Sequence, residues 1–216
     1  MLKALVIKEL RESAGILALA CLAVVYALSE LTGLRLLGWG GRSLNTYPFI
    51  YDQLLYYISL CIGGLAIALG MKQTAWELGQ GTLFFLFHRP MSRTQMFACK
   101  LAVGSACVLL LSAMLILIYT WWVATPSHVE GPFFWSMTKR AWQLWLAMPV
   151  VYLGSFLSGI RPGKWFGSRL VPLVAAIAIT AAVVYVPWLW LTLLMSLTAD
   201  VIFVICIFYY VRRRDY

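Results

Sequence analysis

Residues 76–100, WELGQGTLFFLFHRPMSRTQMFACK, carry a compact set of charges in an otherwise apolar chain. The charged and turn-forming residues of this stretch are Glu77, Gly81, Thr82, Arg89, Pro90, Arg93 and Lys100. A short apolar run between charged ends is typical of a surface that docks onto another protein. The alternative is that the run at 83–87 packs beneath the rest of the chain. Ser92 is placed to cap the helix that follows.

Asp200 is the second candidate, because it is the one charge deep inside the long apolar stretch 170–211. A charged side chain at the centre of a bilayer costs about 2.5–3.5 kcal/mol on insertion scales, so such residues mark substrate or proton paths by default. The alternative is a structural aspartate that is protonated, or that is satisfied within the bundle by Ser196 one turn earlier.

Enzymatic motifs are absent from the sequence. It has no GxSxG and no HExxH pattern. The two histidines, His88 and His128, are predicted on opposite sides of a membrane and so cannot share a metal. The segment 159–165, GIRPGKW, has three residues between its glycines where a phosphate-binding loop needs four, and Trp follows the Lys. We therefore expect no catalysis, metal or cofactor in this chain, and any ATP to be bound by a separate subunit.

The composition indicates whether the chain folds in water or in a membrane. The chain is 62% hydrophobic and only 12% charged, whereas soluble domains have about 25% charged residues. Such a chain must use a bilayer as its solvent. The net charge of +9 does not indicate nucleic-acid binding, because the basic residues lie at the ends of apolar runs and form no stripe of their own.

An all-α integral membrane fold with six transmembrane helices is the prediction. A crossing helix needs about 20 apolar residues, and the stretch 170–211 is long enough for two, divided by a turn near Val186-Pro187-Trp188. The predicted spans are 14–31, 51–71, 98–123, 138–158, 169–186 and 188–211. Together they form a single transmembrane domain, residues 1–216.

The distribution of Lys and Arg predicts the orientation. With six spans, thirteen of these residues fall on the side of the termini and four on the other side. The positive-inside rule then places both termini in the cytoplasm. The segment 72–97, between the second and third spans, is predicted to be cytoplasmic as well.

The first twelve residues, MLKALVIKELRE, are predicted to form an interfacial helix that lies on the cytoplasmic leaflet. Leu2, Leu5, Val6 and Leu10 fall on one helical face, and the charged residues, Lys8 and Glu9 among them, occupy most of the rest. The alternative is a simple basic flank that sets the topology.

The order of these features resembles the membrane subunits of ABC type-2 exporters. In that family a Glu, a Gly-Thr pair, a Leu-rich run, Pro-x-Ser-Arg and a Lys lie between the second and third of six spans, as Glu77, Gly81-Thr82, Pro90-x-Ser92-Arg93 and Lys100 do here. The N-terminal helix with Lys8-Glu9 is also similar. The minimal turn at Pro187 departs from members that have larger outer loops.

The resemblance implies a permease in a bacterial inner membrane that pairs with a second copy or a related permease. A separate ATP-binding subunit, with its ATP-Mg, would drive export of a hydrophobic or amphipathic substrate such as a peptide, lipid or drug. A short coupling helix between the second and third spans would contact that subunit. The coupling residues would be Glu77, Gly81, Thr82, Arg89, Pro90 and Arg93.

Two other functions remain open at the level of sequence. One is a proton-coupled secondary transporter that uses Asp200. The other is a non-transporting membrane scaffold that docks a partner through residues 76–93.

Overall fold

A computed structural model describes residues 2–33, 49, 53–80, 92–125 and 132–213. Within these ranges the fold is all helical and contains no strand. Four of the predicted coupling residues, and the predicted coupling helix, lie outside the described residues. These four are Gly81, Thr82, Arg89 and Pro90.

Six main helices make up the described part of the chain. They are α1 (Leu2–Thr32), α2 (Gln53–Gly79), α3 (Arg93–Ala124), α4 (Lys139–Ile160), α5 (Val171–Val184) and α6 (Leu189–Arg213). A 3₁₀ turn, Trp135–Thr138, leads into α4, and a π turn, Trp165–Arg169, precedes α5. The predicted division of the last apolar stretch is confirmed, because α5 ends at Val184 and α6 begins at Leu189.

Five helices are long and apolar enough to cross a membrane: α1, α2, α3, α4 with its leading turn, and α6. The helix at the predicted fifth span, α5, has only 14 residues, a length of about 21 Å, whereas the hydrocarbon core of a bilayer is about 30 Å thick. Pro172 at its start and the turn before Pro187 limit its length. The described residues therefore contain five helices of spanning length rather than the predicted six.

The N-terminal residues continue directly into the first long helix. The sequence predicts a separate helix over 1–12, but α1 runs unbroken from Leu2 to Thr32, because no proline interrupts it and Ser13 is buried on the helix face instead of capping a new helix. Leu5, Glu9 and Ser13 are buried on one face, whereas Leu10 is exposed. The placement of Glu9 on the outer polar face was therefore wrong, since Glu9 lies one turn after the buried Leu5.

Two π-helical segments, Ile58–Ile62 and Lys72–Trp76, interrupt the α-helical winding of α2. They explain an unusual burial pattern in which buried residues recur every fourth position. These residues are Leu54, Ile58, Ile62, Ala66, Gly70 and Thr74. In a regular α-helix a four-residue step drifts by about 40°, so five steps would move the stripe to the opposite face. The wider π turns absorb this drift and keep one face of α2 against the bundle.

Helix α4 is the centre of the bundle, with 83% of its most apolar window buried. It packs against α2, α3, α5 and α6. Close approach to α2 depends on small residues, because a Cβ on Gly70 would overlap Ser155, and one on Gly159 would overlap Thr74. Between them, Ser155 Oγ donates a hydrogen bond to the carbonyl oxygen of Ile67 at 2.9 Å.

Replacing Gly70 by Ala should therefore destabilise the protein by about 1–3 kcal/mol, because the added methyl meets the backbone nitrogen of Phe156. Gly64→Ala, on the same helix, is the matched control: nothing lies within 4 Å of its added methyl, and Ala is the better helix former. Thermal unfolding in detergent should show a lower Tm for Gly70→Ala and an equal or higher Tm for Gly64→Ala. Equal Tm values for the two variants would contradict this packing.

Candidate functional site: a buried charge cluster

An ion-pair cluster joins the first three helices. Lys100 of α3 is completely buried, and its Nζ donates hydrogen bonds to Glu9 Oε1 of α1 at 2.7 Å and to Glu77 Oε1 of α2 at 2.6 Å. The side chain of Glu9 is 1% exposed and that of Glu77 is 10% exposed. We call these three residues the charge cluster. It ties the beginning of α1, the end of α2 and the beginning of α3 together at one end of the bundle.

Local structure places each member of the cluster. Ser92 caps α3, as predicted, by accepting a hydrogen bond from the backbone N–H of Gln95 at 3.3 Å. Because α3 begins at Arg93, Lys100 falls two turns inside the helix, next to the buried residues Met96 and Phe97. Glu77 follows directly after the π segment of α2.

The cluster is stable only as a unit. Removing an ammonium and two carboxylates from water costs several kcal/mol per ion, and this cost is offset only when each charge has a close opposite charge and good hydrogen bonds. Lys100 meets this condition with two short, charge-assisted hydrogen bonds. The loss of Lys100 would leave both carboxylates buried without an opposite charge.

A neutral hydrogen-bond network connects the cluster to α4. Tyr152, which is buried, donates its hydroxyl hydrogen to Gln73 Oε1 at 2.5 Å, and the hydroxyl oxygen lies 3.1 Å from the carbonyl oxygen of Lys100. The ring of Tyr152 packs directly on Gly104 of α3, where a Cβ would overlap it. Lys100 therefore contacts α4 through its backbone and α1 and α2 through its side chain.

A rim of more exposed charges borders the cluster on α1 and α2. Lys8 pairs with Glu12 at 3.4 Å, and Lys72 donates a hydrogen bond to the carbonyl oxygen of Glu12. Carboxylate oxygens of Glu9, Glu12 and Glu77 lie within 4.8 Å of one another, which is close enough to share a metal ion. The ammonium of Lys100 already pairs with two of the three carboxylates and would repel a divalent cation, so we assign no metal to this group.

The structure brings some of the predicted site residues together and separates others. Glu77 and Glu9 meet at Lys100, Lys8 lies on the rim, and Arg93 is exposed at the first turn of α3. Asp200 is elsewhere, at the midpoint of α6 and about 20 Å along the helix from Arg213. Sequence reasoning missed Gln73 and Tyr152, because polar residues inside apolar spans gave no sign of which helix they would face.

Comparison with known proteins gives no match: no family model, no curated protein and no solved structure matches this chain.

Replacing Lys100 by Met should destabilise the protein by about 3–5 kcal/mol, because two buried carboxylates lose their counter-charge. The triple variant Glu9→Gln, Lys100→Met, Glu77→Gln removes all three charges and should recover most of this loss. The measurement is thermal unfolding in detergent.

Arg11→Met is the control, since Arg11 is an exposed base on α1 and its loss should leave Tm unchanged. If Lys100→Met unfolds at the temperature of the Arg11→Met variant, the charges are solvated and the cluster is not a structural unit.

Tyr152→Phe should cost about 1–3 kcal/mol, because Gln73 Oε1 would stay buried without its donor. Tyr185→Phe removes a hydroxyl from a side chain that is 86% exposed and serves as the control. A Tm for Tyr152→Phe that equals that of Tyr185→Phe would show that the hydroxyl does not hold α4 to the cluster.

Proposed function

We propose that this chain is the membrane-spanning permease subunit of an ATP-driven exporter of the ABC type-2 kind. In this proposal both termini are cytoplasmic, two copies (or one copy and a related permease) form the transport path, and a separate ATP-binding subunit supplies ATP-Mg and its hydrolysis. The substrate is hydrophobic or amphipathic. The segment between α2 and α3 is the contact with the ATP-binding subunit.

The five helices of spanning length support a multi-pass membrane protein. Their outward faces are apolar, for example at Leu19 and Leu22 of α1 and Leu110 of α3.

Although α5 is short, it returns the chain along α4, because Arg169 before it contacts Ser158 near the end of α4 and Val186 after it contacts Gln143 near the beginning of α4. Most of the Lys and Arg residues therefore belong to the end of the bundle where α1 begins and α6 ends. The positive-inside rule assigns that end to the cytoplasm.

The observation that carries the proposal is the attachment of the connection between α2 and α3. This connection follows the end of α2 at Gly79 and ends at Ser92, which caps α3. A buried ion pair joins Glu77, just before the connection, to Lys100, two turns after it. Glu9 of α1 also pairs with Lys100, so the first three helices are held together. A displacement of the connection is therefore passed to three helices at once.

Such an attachment suits a transmission element. A loop that only connects two helices needs no buried charges where it joins them. Natural proteins rarely bury Lys or Glu without a partner. A partner that pushes on residues 80–92 would act on helix ends held by ion pairs rather than on a loose tether. The contact of Tyr152 with the carbonyl oxygen of Lys100 extends the same path to the central helix.

The test is coupled ATP turnover. The chain is purified together with a candidate ATP-binding subunit, sought among the genes next to its own, and ATP hydrolysis of the complex in lipid nanodiscs is compared for the wild type and Arg93→Glu. Arg93 is exposed at the end of the connection and is not a member of the charge cluster, so reversal of its charge should weaken assembly or reduce coupled turnover at least fivefold. The Tm of the variant is measured alongside, so that a loss of folding is told apart from a loss of coupling.

Arg212→Glu, at an exposed basic position at the end of α6, is the control and should behave as the wild type. If no ATP-binding subunit assembles with the folded chain, the exporter proposal fails. If a subunit binds through residues 76–93 but hydrolyses no additional ATP and moves no substrate, the chain is a scaffold.

A further inference from the structure

A ladder of polar residues runs along the inner side of α6. Thr192, Ser196 and Asp200 follow one another at intervals of four residues, so they share one face. Thr192 and Ser196 are buried. The ladder begins near the first turn of α6 and ends at Asp200, at the midpoint of the helix.

Thr192, the first residue of the ladder, has hydrogen-bond partners within the protein. Gln143 of α4 donates from Nε2 to Thr192 Oγ1 at 3.1 Å and to the carbonyl oxygen of Val186 at 2.8 Å. The hydroxyl of Thr192 donates in turn to the carbonyl oxygen of Trp188 at 3.2 Å. This part of the ladder closes the turn between α5 and α6 and needs no further partner.

The next two residues of the ladder, Ser196 and Asp200, each have a polar atom without a hydrogen-bond partner in the described part of the chain. Ser196 Oγ and Asp200 Oδ1 are both buried and have no hydrogen-bond partner among the described residues, and Ser196 is only 2% exposed. The hydrogen bond between Ser196 and Asp200 that the sequence suggested is therefore absent. Leaving such groups unpaired away from water costs about 1–3 kcal/mol each, and more for a charged group.

No basic residue of the neighbouring helices reaches this level. Helices α3, α4 and α5 pack against α6. Between Leu101 and Ala124, between Ala141 and Ile160, and throughout α5 the sequence has no Lys, Arg or His. The nearest bases of α4, Lys139 and Arg140, lie at the end where α4 begins, and Lys139 donates a hydrogen bond to the carbonyl oxygen of Pro187.

We propose that Ser196 and Asp200 bind the cationic nitrogen of an amphiphilic substrate. An ammonium or protonated amine carries several N–H donors and a positive charge, so one group can satisfy both Ser196 Oγ and Asp200 Oδ1. A proton on Asp200 would remove its charge and supply a single donor, whereas an ammonium keeps the charge pairing and has donors for both groups. The surrounding faces of α4 and α5 are apolar and suit the rest of an amphiphile.

This inference names a substrate class for the proposed exporter and rests on that proposal for the transport step. The binding step does not require the ATP-binding subunit. Asp200 is half-buried as a residue, whereas its Oδ1 atom is buried, so binding at Oδ1 requires neighbouring side chains to move aside.

The test is direct binding to the purified full-length chain in lipid nanodiscs, without any ATP-binding subunit. The probe is rhodamine 6G, a fluorescent cationic amphiphile with N–H donors, and binding is followed by anisotropy. Asp200→Asn keeps the shape of the side chain and removes its charge, so it should weaken binding at least tenfold. Asp200→Glu should bind within threefold of the wild type, and Ser196→Ala should weaken binding by a smaller factor.

Two controls separate the site from general partition into the apolar surface. Thr198→Ala alters an exposed residue of the same helix and should bind rhodamine 6G as the wild type does. Nile red, an uncharged amphiphile, should bind equally to the wild type and to Asp200→Asn. Unchanged Tm values for the variants exclude misfolding, and Ser196→Ala keeps the test valid if Asp200→Asn does not fold.

Equal binding of rhodamine 6G by the wild type and Asp200→Asn, or no saturable binding by the folded wild type, would overturn the inference. Covalent labelling of Asp200 by dicyclohexylcarbodiimide without saturable dye binding would also overturn it, in favour of a proton site. Because no ATPase is present, these outcomes are independent of whether the exporter proposal stands.

Discussion

The ammonium group of Lys100 is the constraint on which the basic end of the bundle depends. A lysine two turns inside an apolar helix has to be paired, and here it is paired twice, with carboxylates from two other helices. Each carboxylate is in turn buried only because the ammonium is present. The ends of α1, α2 and α3 are thus fixed together by electrostatics, where apolar packing alone would permit small sliding movements.

The rest of the bundle is arranged so that these charges can meet. Gln73 and Glu77, near the end of α2, face the interior of the bundle. They do so because the two π segments of α2 keep one face of the helix turned toward the bundle along its length. The glycines at positions 70 and 159 let α2 and α4 approach closely. This close approach brings Tyr152 of α4 to Gln73 and to the backbone of Lys100.

Apolar runs in the sequence predicted the helices well, and local signals such as Ser92 and Pro187 predicted a cap and a turn. The helices extend past the predicted span ends near charged residues, because α2 continues to Gly79 and α3 begins at Arg93. Lys72, Glu77 and Lys100 look like the ends of spans, because an unpaired charge is costly in an apolar helix. Their cost is removed by pairing between residues as much as 91 positions apart, and a single sequence does not reveal such pairs.

The two polar sites of the chain depend on the same central helix. Tyr152 of α4 contacts the charge cluster, whereas Gln143, nine residues earlier on α4, holds the first residue of the ladder on α6. Both contacts are hydrogen bonds from one helix, which is mostly buried between its neighbours and has Pro149 between the two contacts. Because α4 takes part in hydrogen bonds at both sites, a shift of the whole helix would displace both contacts together.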